Sequence, residues 1–327
     1  MLVGIVSVGP VPGSGIMPAV PPIIIAHRGA SGYLPEHTLE AKAMAFAQGA
    51  DFVEQDVVLT RDRVPVVLHD VQIDTVTDVA ARFPGRRRAD GRWYALDLTL
   101  AELKSLTVHE RTDPRTGRPV FPGRFPLGLG TFRVPTLEEE IDLVVGLNRS
   151  TGRRVGIYPE IKGPAWHRAE GVEVGPIVAE VLTRRGLAGR DDPCFLQCFE
   201  FAELRRLRAD LGYAGRLIYL TAERPESGGP DLATPAGWAE VARVVDGVGP
   251  AVAQVVRVGA DGTVEPTSFA RLAHDRGLLV HPWTVRADAL PPGLATVEPL
   301  LRALWDRAGV DGVFIDQPDI GVQSRPR

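Results

Sequence analysis

A chain of 327 residues, 44% apolar and 24% charged, has the make-up of a soluble globular protein large enough for one big domain or two small ones. Its net charge of −4 offers no electrostatic footprint for nucleic acid or for an anionic membrane surface as main partner. No apolar run approaches the ~20 residues of a stable membrane span. If Cys194 and Cys198 share a strand, they lie roughly 13 Å apart at ~3.3 Å per residue, beyond disulfide reach, so both are expected to be free buried thiols.

Residues 1–22 are apolar but broken by Gly and Pro, and they carry no Lys or Arg, so the basic start of a secretory signal is missing. They read as a disordered leader, and a cytoplasmic location is favoured for the chain as given. Ile23 to Ala26 is the first strand, ending at His27. Thr38 caps a helix from Leu39 to Gln48, closed by Gly49. Phe52 to Thr60 is a strand carrying Glu54 and Asp56, and Arg61-Asp62-Arg63 turns into Val64 to Leu68, a hairpin extension ended by His69. From about Val71 to Val134 the periodicity fails, turns recur, and Leu100 to Leu106 behind Thr99 is the one helical stretch. The segment 71–135 is therefore expected as an insertion on the site-bearing side of a domain spanning 23–323.

Thr136 and Glu139 form a capping box for a helix to about Leu147. Strand Val155 to Ile161, which carries Glu160, precedes helix Val172 to Arg185, strand Cys194 to Phe199, helix Ala202 to Asp210 and strand Arg216 to Leu220. Helix Pro235 to Arg243, strand Gly247 to Val248, helix Ser268 to Arg276, strand Leu278 to Val280, helix Val297 to Ala308 and strand Gly312 to Ile315 complete the chain. Eight strands alternating with helices predict an α/β fold, a (β/α)₈ TIM barrel with a small inserted subdomain after the second strand. The open doubly wound alternative lacks a G-x-G-x-x-G after the first strand.

In such a barrel functional groups gather at the C-terminal strand ends. Residues two apart in a strand share a face, so Glu54 and Asp56 point together, as do Glu160 and Lys162. Three carboxylates with open coordination positions suit Ca²⁺ or Mg²⁺ better than Zn²⁺. Carboxylates satisfied by Arg28 and Lys162 alone are the plainer alternative. His27 and His69 are either core histidines or an acid–base pair beside the cluster. Arg28 can clamp a phosphate or pair with Glu54 or Glu160. His37 reads as neutral, His281 as structural or pocket-lining, and His109, His167 and His274 as surface or insertion residues.

The runs HRGASGYLPEHT, EQD, VVLHD, YPEIK, LQCF and HPWTVR, in this order from Ile23 to Asp319, resemble the glycerophosphodiester phosphodiesterases, most closely the bacterial periplasmic type with an insertion after the HD motif. The resemblance implies a TIM barrel, Ca²⁺ or another divalent ion, and hydrolysis of a small-molecule glycerophosphodiester to sn-glycerol 3-phosphate and an alcohol. It implies Glu54, Asp56 and Glu160 as metal ligands, His27 and His69 as the acid–base pair, Arg28 and Lys162 on the phosphate, and Phe199 and Trp283 as pocket walls. It also leaves open a homodimer and a periplasmic or secreted location. A lysophospholipase-D-like diesterase, marked by an apolar rim for acyl chains, and a non-catalytic glycerophosphodiester-binding barrel are the alternatives.

Overall fold

Four of the buried strands start on an apolar pair that the pleat sends to opposite faces, which is the pattern of a sheet covered on both sides. The computed structural model describes residues 21–223 and 228–326. The leader expectation therefore falls almost wholly outside the described residues. Strands β1 (Ile23–Ala26), β2 (Phe52–Leu59), β4 (Gly156–Ile161), β5 (Phe195–Cys198), β6 (Arg216–Thr221), β7 (Gly247–Pro250), β10 (Leu279–Val280) and β11 (Gly312–Ile315) pair in parallel in the order β10-β7-β6-β5-β4-β2-β1-β11. Strand β3 (Pro65–Val67) pairs antiparallel with the upper end of β2. The ring closes through Asp311 N–H to Val280 O at 3.0 Å and Phe314 N–H to Pro282 O at 2.9 Å. The fold is a TIM barrel of eight parallel strands.

Two cores hold it. Ile25, Tyr158, Phe195, Ile218 and Phe314 fill the barrel axis, while Val53, Val57, Ile157, Ile161, Leu196 and Leu217 face the helical shell. A separate cluster that includes Val58, Val66, Ile73, Leu103, Leu106 and Val134 ties the 71–134 stretch to the β2–β3 hairpin. That stretch holds short helices at Val79–Arg82 and Leu100–Lys104, the second opened by a capping box between Thr99 and Glu102. Among the described residues no helix is long and apolar enough to cross a membrane.

Three differences from the sequence reading have local causes. A hairpin of β8 (Val256–Val258) and β9 (Val264–Pro266) turns at Gly259–Thr263, where Asp261-Gly262 is an ordinary hairpin signal. A short helix, Pro164–Ala169, follows Gly163 in the left-handed conformation, with Pro at its first position. It buries His167 completely, so that residue is not a surface histidine; its Nδ1 lies 3.0 Å from Gly163 O. The last predicted helix is α-helical only over Glu298–Arg302 and continues as a π-helical turn, Ala303–Arg307.

Candidate active site

The two-residue period of the strands builds the site. On β1, β2, β4, β5 and β11 an apolar axial residue is followed two positions later by a polar one: Ile25 by His27, Phe52 by Glu54, Tyr158 by Glu160, Phe195 by Gln197 and Phe314 by Asp316. Asp56 stands one step above Glu54, and strand register sets it directly beside Glu160, which in turn lies beside Gln197. The polar layer thus floats on an apolar floor at the C-terminal strand ends. It opens into a cavity of about 520 Å³ lined by His27, Arg28, Glu54, Asp56, His69, Glu160, Lys162, Phe199 and Trp283, together with Gln197, Leu220, Thr284 and Arg286. All nine residues singled out in the sequence face this one space.

Glu54, Asp56 and Glu160 are buried, and one oxygen of each lies within 4.8 Å of the other two. Glu54 accepts from the Arg28 backbone N–H at 2.8 Å and from Gln197 Nε2 at 3.0 Å. Asp56 Oδ2 takes a proton donor from His37 Nε2 at 2.7 Å, and Lys162 Nζ stands 2.7 Å from Glu160 Oε1 and 3.8 Å from Asp56 Oδ1. Burial, then Asp56 and Glu160, push the Glu54 carboxyl well above its usual range. Burial also pushes Glu160 up, to about 8, against the opposing pull of Lys162. Burial alone would raise Asp56 too, but Lys162, His69 and His37 together hold it well below the usual carboxylate range. Asp56 Oδ1 is buried without a hydrogen-bond partner. An all-oxygen donor set with one such orphaned atom fits a hard divalent cation.

Each of the two histidines is anchored through Nδ1. His27 Nδ1 lies 2.6 Å from Asp316 Oδ1, and His69 Nδ1 lies 2.7 Å from Asp70 Oδ1. Both aspartates stay ionised: burial opposes it, but His27, Arg286 and Arg124 depress Asp316, and His69 and Arg111 depress Asp70. An ionised partner keeps the proton on Nδ1 and leaves Nε2 free toward the cavity. His27 Nε2 is 3.5 Å from Thr284 Oγ1 and 3.8 Å from Glu54 Oε2. Burial lowers His27 to about 4, and burial with the nearby Arg28 and Lys162 lowers His69 to about 4. The His69 side chain keeps 29% of its surface in water, which softens that push.

Arg28 and His37 both adopt left-handed backbone conformations, φ 58° and 60°, a costly geometry for non-glycine residues that recurs at functional sites. The bend at Arg28 aims its N–H at Glu54. Its guanidinium donates to Glu36 Oε2 at 2.9 Å and not to Glu54 or Glu160, and its Nε makes no hydrogen bond but forms an ion pair with Asp56 Oδ2 at 3.5 Å. Arg28 and Lys162 thus supply part of what the carboxylates need; Gln197 bonds Glu54, His37 bonds Asp56, and Asp56 Oδ1 is left without a hydrogen-bond partner. His37, pushed down to about 3 by burial and Lys42, is the neutral donor that steadies Asp56. His281 is structural, its Nδ1 2.8 Å from Tyr158 Oη below the polar layer. Phe199 and Trp283 meet edge to face at 5.4 Å and form one wall, with Lys162 Nζ 5.8 Å over the Phe199 ring.

Sequence reasoning missed Asp316, Glu36, Asp70, Arg111 and Arg124. Asp316 and Asp70 could have been found, since each follows a strand end in the same way as the residues that were chosen.

Known proteins match this chain over nearly its whole length. The model of the Glycerophosphoryl diester phosphodiesterase family matches residues 27–320. A Haemophilus influenzae protein named glycerophosphodiester phosphodiesterase is 41% identical over 323 residues, covering 92% of this chain and 89% of its own. A Silicibacter pomeroyi crystal structure, named for the same activity, superposes with a TM-score of 0.69 at 27% identity, covering 94% of both chains. An Oleispira antarctica phosphodiesterase, solved in complex with the product sn-glycerol-3-phosphate, shares the fold with a TM-score of 0.63 at 22% identity, over 93% of this chain and 96% of that one.

Proposed function

The chain belongs to the glycerophosphoryl diester phosphodiesterase family, a family of phosphoric diester hydrolases, and from that premise we propose a specific reaction for it. The enzyme cleaves small glycerophosphodiesters, such as glycerophosphocholine and glycerophosphoethanolamine, to sn-glycerol 3-phosphate and the free alcohol. One observation carries the reading: two imidazoles, each tied through Nδ1 to an ionised aspartate, share a cavity with a buried three-carboxylate cluster. A protein that only binds the diester has no use for such a pair. The Oleispira complex supports the product assigned.

Arg28 and Lys162 receive the phosphate, whose charge offsets theirs. The attacking hydroxyl, from the glycerol 2-position or from water, gives its proton to His27 Nε2 as its oxygen bonds to phosphorus. The bond from phosphorus to the alcohol oxygen breaks, and His69 Nε2 hands a proton to the departing oxygen. Attack by water gives sn-glycerol 3-phosphate directly, whereas attack by the 2-hydroxyl leaves a cyclic glycerol phosphate whose P–O2 bond a water then opens, with the two histidines exchanging roles. His69 must be protonated when the alcohol departs. Part of what keeps it neutral in the free enzyme is the charge of Arg28 and Lys162, and a seated phosphate removes that bias. Glu54, Asp56 and Glu160 would hold Ca²⁺, with Mg²⁺ the alternative, and that ion when bound supplies charge stabilisation at the phosphoryl oxygens. Release of sn-glycerol 3-phosphate with the free alcohol is the test; glycerol with a phosphorylated alcohol would reverse the assignment.

A cation must displace protons from Glu54 and Glu160, whose carboxyls burial raises. Protons compete while these groups are protonated and cease to compete once they ionise. Calcium affinity therefore increases as pH rises through about 8, the value of Glu160. Calorimetric titration across that window checks the sign, and affinity that is flat or falls with rising pH contradicts it.

The lysophospholipid reading has one observation in its favour. A second cavity of about 630 Å³ shares Thr284 and Arg286 with the first and is walled in part by Val252, Val256, Pro291, Pro292 and Leu300. However, the most exposed large apolar side chains of the insertion, Val120, Leu127 and Leu129, do not line the catalytic cavity. Small head groups are the better fit.

A further inference from the structure

The stretch 71–135 is rich in arginine, and several of those side chains, such as Arg82, Arg115 and Arg118, are exposed. Arg111 and Arg124 are not. The Arg124 side chain is 4% exposed and that of Arg111 is 16% exposed. Burying a guanidinium costs several kcal/mol unless its donors are met by acceptors in good geometry, so these two largely buried arginines need a reason.

Both arginines end on the aspartates that hold the histidines, and in the same way. Arg111 Nη1 donates to Asp70 Oδ2 at 2.6 Å while Asp70 Oδ1 faces His69 Nδ1. Arg124 Nη2 donates to Asp316 Oδ2 at 2.6 Å while Asp316 Oδ1 faces His27 Nδ1. One carboxylate oxygen serves the imidazole and the other serves the guanidinium. A carboxylate held at one oxygen can still rotate about its C–C bond; held at both, its direction is fixed, and so is the ring that bonds to it.

Each arginine is itself braced. Arg111 forks onto Glu36 through Nε at 3.0 Å and Nη2 at 2.6 Å, and Glu36 holds Arg28. Arg124 forks onto Asp288 at 2.7 and 3.0 Å, donates to Ser31 O at 3.2 Å, and stacks 3.7 Å from the Phe121 ring centre. The support is unequal. Asp316 has a second guanidinium, Arg286 Nε at 2.9 Å, whereas Arg111 is the one arginine on Asp70 among the described residues.

We propose that the 71–135 segment positions both catalytic histidines: Arg111 aligns His69 through Asp70, and Arg124 aligns His27 through Asp316. The two arginines are positioning residues that touch no reacting atom. The proposal rests on the acid–base roles given above, and it makes the segment a part of the catalytic apparatus although none of its residues lines the catalytic cavity. It also orders the two effects. Loss of Arg111 reaches His69 with nothing to replace it and also frees Glu36 beside Arg28, so kcat falls and KM rises. Loss of Arg124 is cushioned by Arg286, so kcat falls less and KM holds.

The experiment is steady-state kinetics on glycerophosphocholine at saturating calcium for R111A, R124A, R111K and R124K, alone and combined with D70N or D316N. Removing a group that orients a histidine typically costs about 10–100-fold in activity. R111A should lie near the top of that range and R124A near the bottom. Each lysine variant should recover part of the loss, because it restores one bond and the charge but not the fork. D70N/R111A should have a kcat no lower than that of D70N, and D316N/R124A one no lower than that of D316N, because each arginine reaches its histidine through its aspartate. Unchanged kcat in both alanine variants overturns the proposal, and so do losses that multiply with those of the aspartate variants. If an alanine variant does not fold, the lysine variants and their double-variant cycles give the same decision. A wild-type enzyme that releases no sn-glycerol 3-phosphate overturns the function assigned above instead; an active wild type with indifferent arginine variants overturns this inference alone.

Discussion

His27→Ala lowers kcat by about 10²–10⁴, and His69→Ala does so by a similar factor, the usual contribution of a positioned acid or base. The fold survives both changes. Removing His27 leaves Asp316 paired with Arg124 and Arg286, and removing His69 leaves Asp70 paired with Arg111, so neither aspartate is stranded as an unpaired buried charge. The double variant is not slower by the product of the two factors, because a base without its acid partner has little left to accelerate. Kinetics beside a thermal melt measure this. A His27→Ala enzyme with undiminished turnover removes the acid–base assignment at once.

Asp56→Asn has an effect at least as large by a different route. Asp56 is the carboxylate that Lys162, His37 and His69 keep ionised, and its Oδ1 is the orphaned oxygen facing the cluster. The amide keeps the shape and removes the charge. Charge stabilisation by a metal ion is worth several kcal/mol in phosphoryl chemistry, and at about 1.4 kcal/mol per tenfold the loss is two decades in rate or more. Binding to the folded state raises its stability in proportion to ligand concentration over Kd. Calcium should therefore raise the melting temperature of the wild type and leave that of Asp56→Asn almost unmoved. A full calcium shift in the variant would place the cation elsewhere.

Much of the site was legible because strands transmit position by a two-residue period. Glu54 and Asp56 in an apolar run, and Glu160 with Lys162, could be placed on one face without coordinates, and β2–β4 register then sets Asp56 against Glu160. The rule stops where the strand stops. Arg28 lies two residues past β1 in a left-handed bend, so its guanidinium hydrogen-bonds Glu36 and meets the cluster at Asp56, 3.5 Å away, and not at the expected Glu54 or Glu160. His167 looked like a surface residue because the six-residue helix that buries it has too few turns to show an apolar stripe. The β8–β9 hairpin carried an Asp-Gly signal, but its strands are only three residues long. Arg111 and Arg124 were out of reach altogether. They come from a segment without a period, and their partners lie 41 and 192 residues away in the chain.

The reaction proposed for this enzyme needs a cation at Glu54, Asp56 and Glu160 and an acid–base pair at His27 and His69 to release sn-glycerol 3-phosphate. The most direct measurement follows that product from glycerophosphocholine and glycerophosphoethanolamine with enzyme as purified, after exhaustive EDTA treatment, and after calcium is restored. The account predicts release, loss on chelation, and recovery with calcium. Undiminished release from the fully chelated enzyme, with no response to added calcium, would contradict it.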